Sequence, residues 1–157
     1  DYPCEAMGDR MTDWDGELWS DPRKESLLAF QAKRMDRCKA LGADGIELDN
    51  MDQHDKDNIA QSGIDVSENE NVAAQARFAK LAHDRGLAIV AKNGSEVAAQ
   101  LAPLYDGVWI EHCAKHQECN AFAPYKGKPV VMLEYEADCF ESDWSTCQKK
   151  AGYFKPE

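Results

Sequence analysis

The sequence predicts an α/β fold with parallel strands, and three observations support this. Helix-like and strand-like segments alternate along the chain with short connections, which is the pattern of βαβ units. The strand-like segments are almost entirely apolar inside, as expected of strands that are buried on both faces. Each of them ends on polar, potentially reactive groups, which are Asp49-Asn50, Lys92-Asn93, Glu111 and Glu134.

The first part of the chain predicts a loop, a helix and a strand. Residues 1–22 are rich in Asp, Gly, Trp and Pro, without periodicity, and predict a loop. Apolar residues recur at helical spacing from Arg23 to Leu41, and Gly42 follows where a helix-ending glycine belongs. A short strand is predicted at residues 44–49, and residues 50–66 predict a polar loop.

The second part begins with a helix signature. Ser67 and Glu70 have the spacing of a capping box, which predicts a helix from there to Gly86. The elements that follow are a strand at Leu87–Lys92, a shorter helix capped by Ser95 and running through Leu104, strands at Gly107–Glu111 and Pro129–Glu134, and a short helix around Trp144–Lys150.

The polar strand ends favour a (β/α)₈ TIM barrel. In such barrels several strands contribute to one active site at their C-terminal ends. An open doubly wound sheet gathers ligands at the same ends and is the alternative. No glycine-rich phosphate loop follows any strand here, so we favour the barrel. A length of 157 residues suits one domain, and we assign residues 1–157 to it.

Charge and hydropathy exclude two classes of partner. The chain has 18 Lys and Arg against 29 Asp and Glu, a net charge of −11, whereas nucleic-acid binders concentrate basic residues. The longest apolar stretches, residues 86–91 and 129–133, are far too short to span a membrane. We expect neither a nucleic-acid nor a membrane partner.

Six cysteines in an acidic domain predict disulfides and a secreted, extracellular protein. They are Cys4, Cys38, Cys113, Cys119, Cys139 and Cys147. Three bridges allow 15 connectivities. Short loops favour pairing Cys113 with Cys119 and Cys139 with Cys147, which leaves Cys4 for Cys38 or for a segment outside this chain. The start at Asp1, with no signal-like region, indicates a processed product.

The first group of candidate site residues follows the strand at residues 44–49. Asp49, Asn50 and Asp52 combine two carboxylates with an amide, and Glu47 points to the same side of the strand as Asp49. Such residues also form turns and caps after strands. A carboxylate within a buried strand needs a partner or a function, which favours a site.

The second group lies at the ends of the later strands. Lys92 is either a surface lysine or the partner of a carboxylate, expected to be Asp49, whose ionised form it stabilises. Asn93 begins the glycosylation sequon Asn93-Gly94-Ser95, and this interpretation competes with a place in a cleft. The other candidates are Glu111, Glu134 and the aromatic residues Trp109 and Tyr135, which suit stacking on sugar rings.

A metal site and a cofactor are not expected. Cys113 and Cys119, with the histidines between them, lack the usual zinc-finger spacing. The acidic run from Asp52 to Asp57 lacks the glycine and terminal glutamate of a calcium-binding EF-hand loop. A solvated acidic loop is the better interpretation of that run.

Taken together, the strand ends resemble glycoside hydrolase family 114, the endo-α-1,4-polygalactosaminidases. The segment GIELDNMD at residues 45–52 is similar to the family's Gly-x-Glu-Pro-Asp-Asn-x-Asp. The similarity spans roughly residues 5–136. The other matching segments are Trp14–Arg23, Ala82–Leu87, Lys92-Asn93, Glu111–Cys119 and Gly127–Tyr135.

The resemblance implies a (β/α)₈ barrel and a galactosamine-containing, cationic polysaccharide as substrate. The family's catalytic pair falls on Asp49 and Glu111. Leu48 replaces the proline of the family's segment, and Gln53 replaces the glycine that follows that segment. A complete barrel takes about 250 residues. We therefore expect this chain to supply roughly the C-terminal five strand–helix units, and a second chain or fragment to supply the others.

We accordingly expect a glycoside hydrolase that cleaves α-1,4-galactosaminidic linkages with two carboxyl groups. Asp49 attacks or supports the anomeric carbon, and Glu111 protonates the leaving oxygen, with an exchange of the two roles left open. Trp109 and Ile110 are expected to give Glu111 the apolar surroundings of an acid. The alternative is a non-catalytic carbohydrate-binding or structural extracellular protein with a degenerate barrel.

Overall fold

A computed structural model of the chain describes residues 2–135. Cys139, Cys147 and the short helix predicted at Trp144–Lys150 lie outside the described residues. The chain divides into two compact units, an N-terminal unit, Asp1–Ile89, and a C-terminal unit, Val90–Glu157.

The N-terminal unit opens with two short strands in the segment that was expected to be a loop. After a 3₁₀ turn at Cys4–Ala6, β1 (Met7–Arg10) pairs antiparallel with β2 (Leu18–Ser20). Strands of four and three residues are too short to give a periodic pattern, so the expectation of a loop was wrong here. Trp19 of β2 packs with Ile64 and Val66 in a small core.

The first helix confirms its prediction. Helix α1 runs over Glu25–Ala40 and buries Leu27 and Met35. It ends where Gly42 adopts a φ of +91°, a conformation that favours glycine, and the amides of Gly42 and Ala43 bond back to the last turn.

Strand β3 (Gly45–Glu47) is shorter than the predicted strand at residues 44–49. The amide of Ala88 donates to the carbonyl of Asp44 at 2.9 Å, so β3 and the start of β4 lie side by side. A Cβ atom at Gly45 would approach the Ala88 carbonyl oxygen to 3.0 Å, which explains why glycine opens the strand.

Helix α2 (Lys56–Ser62) was not predicted, because Ile59 is its one large apolar residue and the helical period is invisible. The residues that indicate this helix lie at its two ends. The Asp55 side chain accepts from the Asp57 amide at 2.8 Å as an N-cap, and Gly63 ends the helix at a φ of +67°. Asp52 and Asp55 precede the helix, as the acidic loop interpretation expected, whereas Asp57 lies in its first turn, so that interpretation was wrong for Asp57.

Helix α3 (Glu68–His83) confirms the predicted capping box. The Ser67 hydroxyl oxygen accepts from the Glu70 amide at 3.3 Å, and the Glu70 carboxylate accepts from the Ser67 amide at 2.9 Å. Both N-terminal donors are thereby satisfied by one pair of side chains.

Three parallel strands organise the C-terminal unit. They are β4 (Ala88–Lys92), which begins at the boundary between the units, β5 (Gly107–Glu111) and β6 (Val130–Leu133). Lys92 pairs in register with Trp109, and Glu111 pairs with Leu133. Parallel strands joined through helical segments confirm the α/β expectation.

The connections in this unit are short and helical. A 3₁₀ turn at Ser95–Val97 leads into α4 (Ala98–Leu101), and α5 (Cys113–His116) leads to a 3₁₀ segment at Cys119–Tyr125. Ser95 does not cap α4, because its hydroxyl donates to the Glu118 carboxylate at 2.8 Å instead.

The two faces of β5 differ. Val108 and Ile110 are each 1% exposed on one face, whereas Trp109 and Glu111 point to the other face, where Trp109 is 37% exposed.

Within residues 2–135 the parallel strands do not close into a barrel. The same residues include no helix that is long and apolar enough to cross a membrane.

Candidate active site

Glu111 is the centre of a polar cluster in the C-terminal unit. It lies at the carboxyl end of β5, and its Oε2 is 3.1 Å from the Nζ of Lys92 at the end of β4. The side chains are 23% and 12% exposed, so water screens this ion pair less than it screens pairs at the open surface. The register of β4 and β5 brings the two strand ends together.

The surroundings of Glu111 are polar, not apolar as expected. Adjacent residues of a strand point to opposite faces, so Ile110 is buried away from the Glu111 carboxylate. An ammonium group and a hydroxyl donor, from Lys92 and Tyr135, contact that carboxylate instead. Both contacts favour its ionised form.

Asn93 holds the backbone of Glu111. Its Oδ1 accepts from the Glu111 amide at 2.8 Å, and its own amide donates to the Trp109 carbonyl at 2.9 Å. Asn93 has a φ of +51°, a conformation that asparagine adopts more readily than most residues. Because an N-glycan is attached to Nδ2, the engagement of Oδ1 leaves both the cleft interpretation and the glycan-acceptor interpretation of Asn93 open.

Tyr135 closes the cluster from the end of β6. Its hydroxyl donates to Glu111 Oε1 at 2.9 Å. This hydrogen bond to Glu111 raises the pKa of Tyr135, the negative charge of Glu111 raises it further, and Lys92 opposes the shift. The ring of Tyr135 stacks on His112, with centroids 4.9 Å apart.

Glu134 lies beside this cluster and anchors α5. Its Oε1 accepts from the Ala114 amide at 2.7 Å, in the first turn of that helix. A predicted bridge between Cys113 and Cys119 closes the same loop and is confirmed. The two sulfurs and one Glu134 oxygen lie within 4.8 Å of one another, but sulfurs joined in a disulfide are not the thiolates that bind zinc.

The other cysteine expectations fare differently. Cys4 and Cys38 are free, so the bridge that elimination assigned to them was wrong. That pairing assumed that all six cysteines pair within the chain. No short loop between Cys4 and Cys38 supported it. The predicted pairing of Cys139 with Cys147 falls outside the described residues.

Asp49 belongs to the N-terminal unit, two residues after β3. It is exposed, and its Oδ1 accepts from the amide of Asn50 at 2.9 Å. Asn50 has a φ of +52°, which turns the chain sharply away from the strand. The predicted carboxylate thus lies on a tight turn at the carboxyl end of its strand.

A cavity of about 750 Å³ in the same unit adjoins this turn. Glu47, Asp49 and Asn50 all line it, as does Leu48 between them, so the prediction that Glu47 and Asp49 share one side of the strand stays a prediction. Asp52 is not among its lining residues. The Asp52 carbonyl accepts from the Asn58 side chain at 3.0 Å and from the Asp55 amide, so this residue shapes the loop.

The structure therefore groups the predicted residues into two sets, one in each unit. Glu47, Asp49 and Asn50 form the first set, and Lys92, Asn93, Trp109, Glu111, Glu134 and Tyr135 form the second. Sequence reasoning missed His112 as a partner of Tyr135. Its position directly after Glu111 was the available signal, but it was considered only as a metal ligand.

Comparisons with known proteins agree on one family. The model of glycoside-hydrolase family GH114 matches residues 1–155. The chain is also similar to the crystal structure of Aspergillus fumigatus Ega3 in complex with galactosamine, with a TM-score of 0.82 and 26% identity. The match covers 98% of this chain and 62% of the Ega3 chain. No curated protein matches the chain.

Proposed function

The chain belongs to glycoside-hydrolase family GH114, and from this we propose that it cleaves α-1,4-galactosaminidic linkages in a galactosamine-containing polysaccharide. Asp49 and Glu111 supply the two carboxyl groups. The observation that carries the proposal is the cluster around Glu111, in which Lys92 and Tyr135 contact the carboxylate and Asn93 holds the backbone at the strand end. The galactosamine in the Ega3 structure supports the substrate class.

Glycosidases place two carboxyl groups on either side of the scissile bond. In our proposal Asp49 attacks the anomeric carbon or supports its developing charge, and Glu111 protonates the leaving oxygen. If the reaction retains configuration, Glu111 then activates the water molecule, and if it inverts configuration, Asp49 does so. Carboxyl groups about 5–5.5 Å apart indicate retention, and a separation of roughly 6.5–9.5 Å indicates inversion.

The contacts of Glu111 restrict when it can act as an acid. Lys92 and Tyr135 favour its carboxylate form, so a proton donor at this position works best in acidic solution, where it regains its proton between turnovers. The same contacts favour the base role that this residue takes after proton donation. We therefore expect the activity to have an acidic optimum.

The substrate-binding residues are proposed from their chemistry. Glu47 and Asp49 give the cavity of the N-terminal unit two acidic groups, which suit a protonated amino sugar. In the C-terminal unit, Trp109 and Tyr135 expose ring surface for stacking on a sugar, beside Lys92 and Asn93. Asn50, Asp52 and Glu134 shape the two sites.

We propose that the chain forms one part of a single TIM-barrel domain, with strands from a second chain or fragment completing it. The support is the length of the match, because this chain spans 62% of the Ega3 chain. The mass of the native protein, measured with and without reduction, tests this. A native mass that equals the 157 residues alone contradicts the proposal.

An extracellular location fits the disulfide between Cys113 and Cys119, since such bridges persist in oxidising compartments. We therefore propose that the protein is secreted. Recovery of the protein from culture medium, rather than from lysed cells, is the expected result.

The decisive experiment measures reducing-sugar release from partially deacetylated galactosaminogalactan by the native, full-length protein. Asp49→Asn and Glu111→Gln are each expected to lower kcat by at least 10³-fold, about 4 kcal/mol, with the fold and sugar binding preserved. Lys126→Met, at an exposed position, is the control. Near-normal turnover in either carboxyl variant contradicts the mechanism, whereas binding without sugar release by the wild type favours a carbohydrate-binding protein.

A further inference from the structure

Three side-chain amides hold the loop that follows Asp49. The carbonyls of Asn50, Met51 and Asp52 are consecutive, and each accepts a hydrogen bond from a different amide side chain. The donors are Gln53 Nε2 at 2.8 Å, Gln75 Nε2 at 3.0 Å and Asn58 Nδ2 at 3.0 Å. Every carbonyl in this stretch is thus oriented by a side chain.

Asn71 joins two of these donors into one network. Its Nδ2 donates to Gln53 Oε1 at 3.0 Å, and its Oδ1 accepts from Gln75 Nε2 at 2.7 Å. The three side chains Asn71, Gln75 and Gln53 belong to residues that are 0%, 3% and 3% exposed. In such a buried chain each amide fixes the orientation of the next, because reversing one would bring two donors or two acceptors together.

The network explains how the loop keeps its unusual backbone. Asn50, at a φ of +52°, turns its amide toward the Asp49 carboxylate and its carbonyl toward Gln53. Left-handed backbone persists where the surrounding structure determines it. Here Gln53 contacts the Asn50 carbonyl directly. Asn71 and Gln75, in adjacent turns of α3, hold Gln53 and the Met51 carbonyl.

We propose that Asn71, Gln75 and Gln53 are positioning residues for Asp49. They act through the backbone carbonyls of Asn50 and Met51, and so set the direction of the carboxylate into the cavity. The inference rests on the proposed catalytic role of Asp49. Nothing in the sequence pattern of α3 identified Asn71 or Gln75.

The test compares two buried substitutions in α3 of the native, full-length protein. Asn71→Leu keeps the branched shape of the asparagine side chain and removes its hydrogen bonds to Gln53 and Gln75. Ala82→Gly weakens the same helix two turns beyond Gln75, without touching the loop. We expect Asn71→Leu to lower kcat at least tenfold, with KM changed less than threefold, and Ala82→Gly to keep kcat within twofold of the wild type.

A second readout separates positioning from loss of folded protein. Titration with a galactosamine oligomer should give Asn71→Leu the binding stoichiometry of the wild type, because a misplaced Asp49 still leaves a folded site. Gln53→Met, similar in size but without amide groups, should lose kcat in the same way and serves if Asn71→Leu does not fold. Equal losses in Asn71→Leu and Ala82→Gly, or wild-type kcat in Gln53→Met, overturn the proposal.

Asp49→Asn measured in parallel separates this inference from the proposed function. If Asp49→Asn is inactive while Asn71→Leu and Gln53→Met turn over normally, the positioning role is wrong and the catalytic role stands. If Asp49→Asn turns over normally, the catalytic role itself is wrong, and the positioning role fails with it.

Discussion

Lys92 is the residue on which the protonation of Glu111 most directly depends, because its ammonium is 3.1 Å from the carboxylate. An adjacent positive charge favours the ionised form of a carboxyl group. Removing it should make Glu111 hold its proton to higher pH. In the Lys92→Met variant, the alkaline limb of the pH profile of kcat/KM should therefore move upward by about one pH unit.

The limb that moves also tests the roles of the pair. A shifted alkaline limb means that Glu111 acts as the acid, and a shifted acidic limb instead means that the roles of Asp49 and Glu111 are exchanged. Lys126→Met, which removes an exposed lysine, should leave both limbs in place. A profile that is unchanged in Lys92→Met would contradict the coupling of Lys92 to Glu111.

The Glu70 carboxylate gives a second prediction at the scale of one residue. Hydrogen bonds from the Ser67 side chain and backbone, followed by Arg23, lower the pKa of Glu70 to about 2. A lowered folded-state pKa stabilises the protein fully above the unfolded pKa, about 4.3. This contribution is lost as the pH falls toward 2.

Glu70→Gln should therefore lower the urea midpoint at pH 7, and the difference from the wild type should shrink steadily between about pH 4.5 and pH 2. Exposed Glu68, in the same turn but outside the capping box, is the matched site for a control, Glu68→Gln. A Glu70→Gln difference that stays constant over that range would show that the capping box does not depend on this charge.

At the scale of elements, the disulfide between Cys113 and Cys119 closes the loop that contains α5. Closing a loop of this length is worth roughly 2 kcal/mol in the chain-entropy account. The double variant Cys113→Ala/Cys119→Ala should lose about that much unfolding free energy in urea titrations. Cys38→Ser, at a free cysteine, serves as the control, and an equal loss in that variant would argue against a contribution from the bridge.

The disulfide should also affect the site, because the Ala114 amide in α5 donates to Glu134 and His112 stacks on Tyr135. Hydrogen exchange of the Ala114 amide is the direct measure. It should be faster in the double variant than in the wild type.

At the scale of the whole molecule, the net charge of −11 should attract a cationic polymer and steer its approach. Added salt screens that attraction, since the Debye length falls from about 10 Å at 0.1 M to about 3 Å at 1 M. Binding of a deacetylated galactosamine polymer should weaken at least tenfold over this range. Binding of the fully acetylated, neutral polymer should change little, and equal salt dependence of the two would contradict electrostatic steering.

Elements with a strong period and defined ends were predictable. Helices α1 and α3 follow from apolar spacing, Gly42 and the Ser67 capping box, because these signals are local in the chain. Helix α2 and the pair β1 and β2 were missed. Their stability comes from caps and cross-strand partners, so neither forms a periodic pattern.

The candidate site was predictable to the same extent. The carboxyl ends of parallel strands lie at one edge of a sheet, so polar residues at those ends made Asp49, Lys92 and Glu111 candidates from the sequence alone. Which groups contact one another depends on the register of the strands. Only the tertiary structure decided three features: the pairing of Lys92 with Glu111, the buried side of Ile110, and the buried amides beneath the Asp49 loop. The physical reason is that they involve residues far apart in the chain or on opposite faces of a strand.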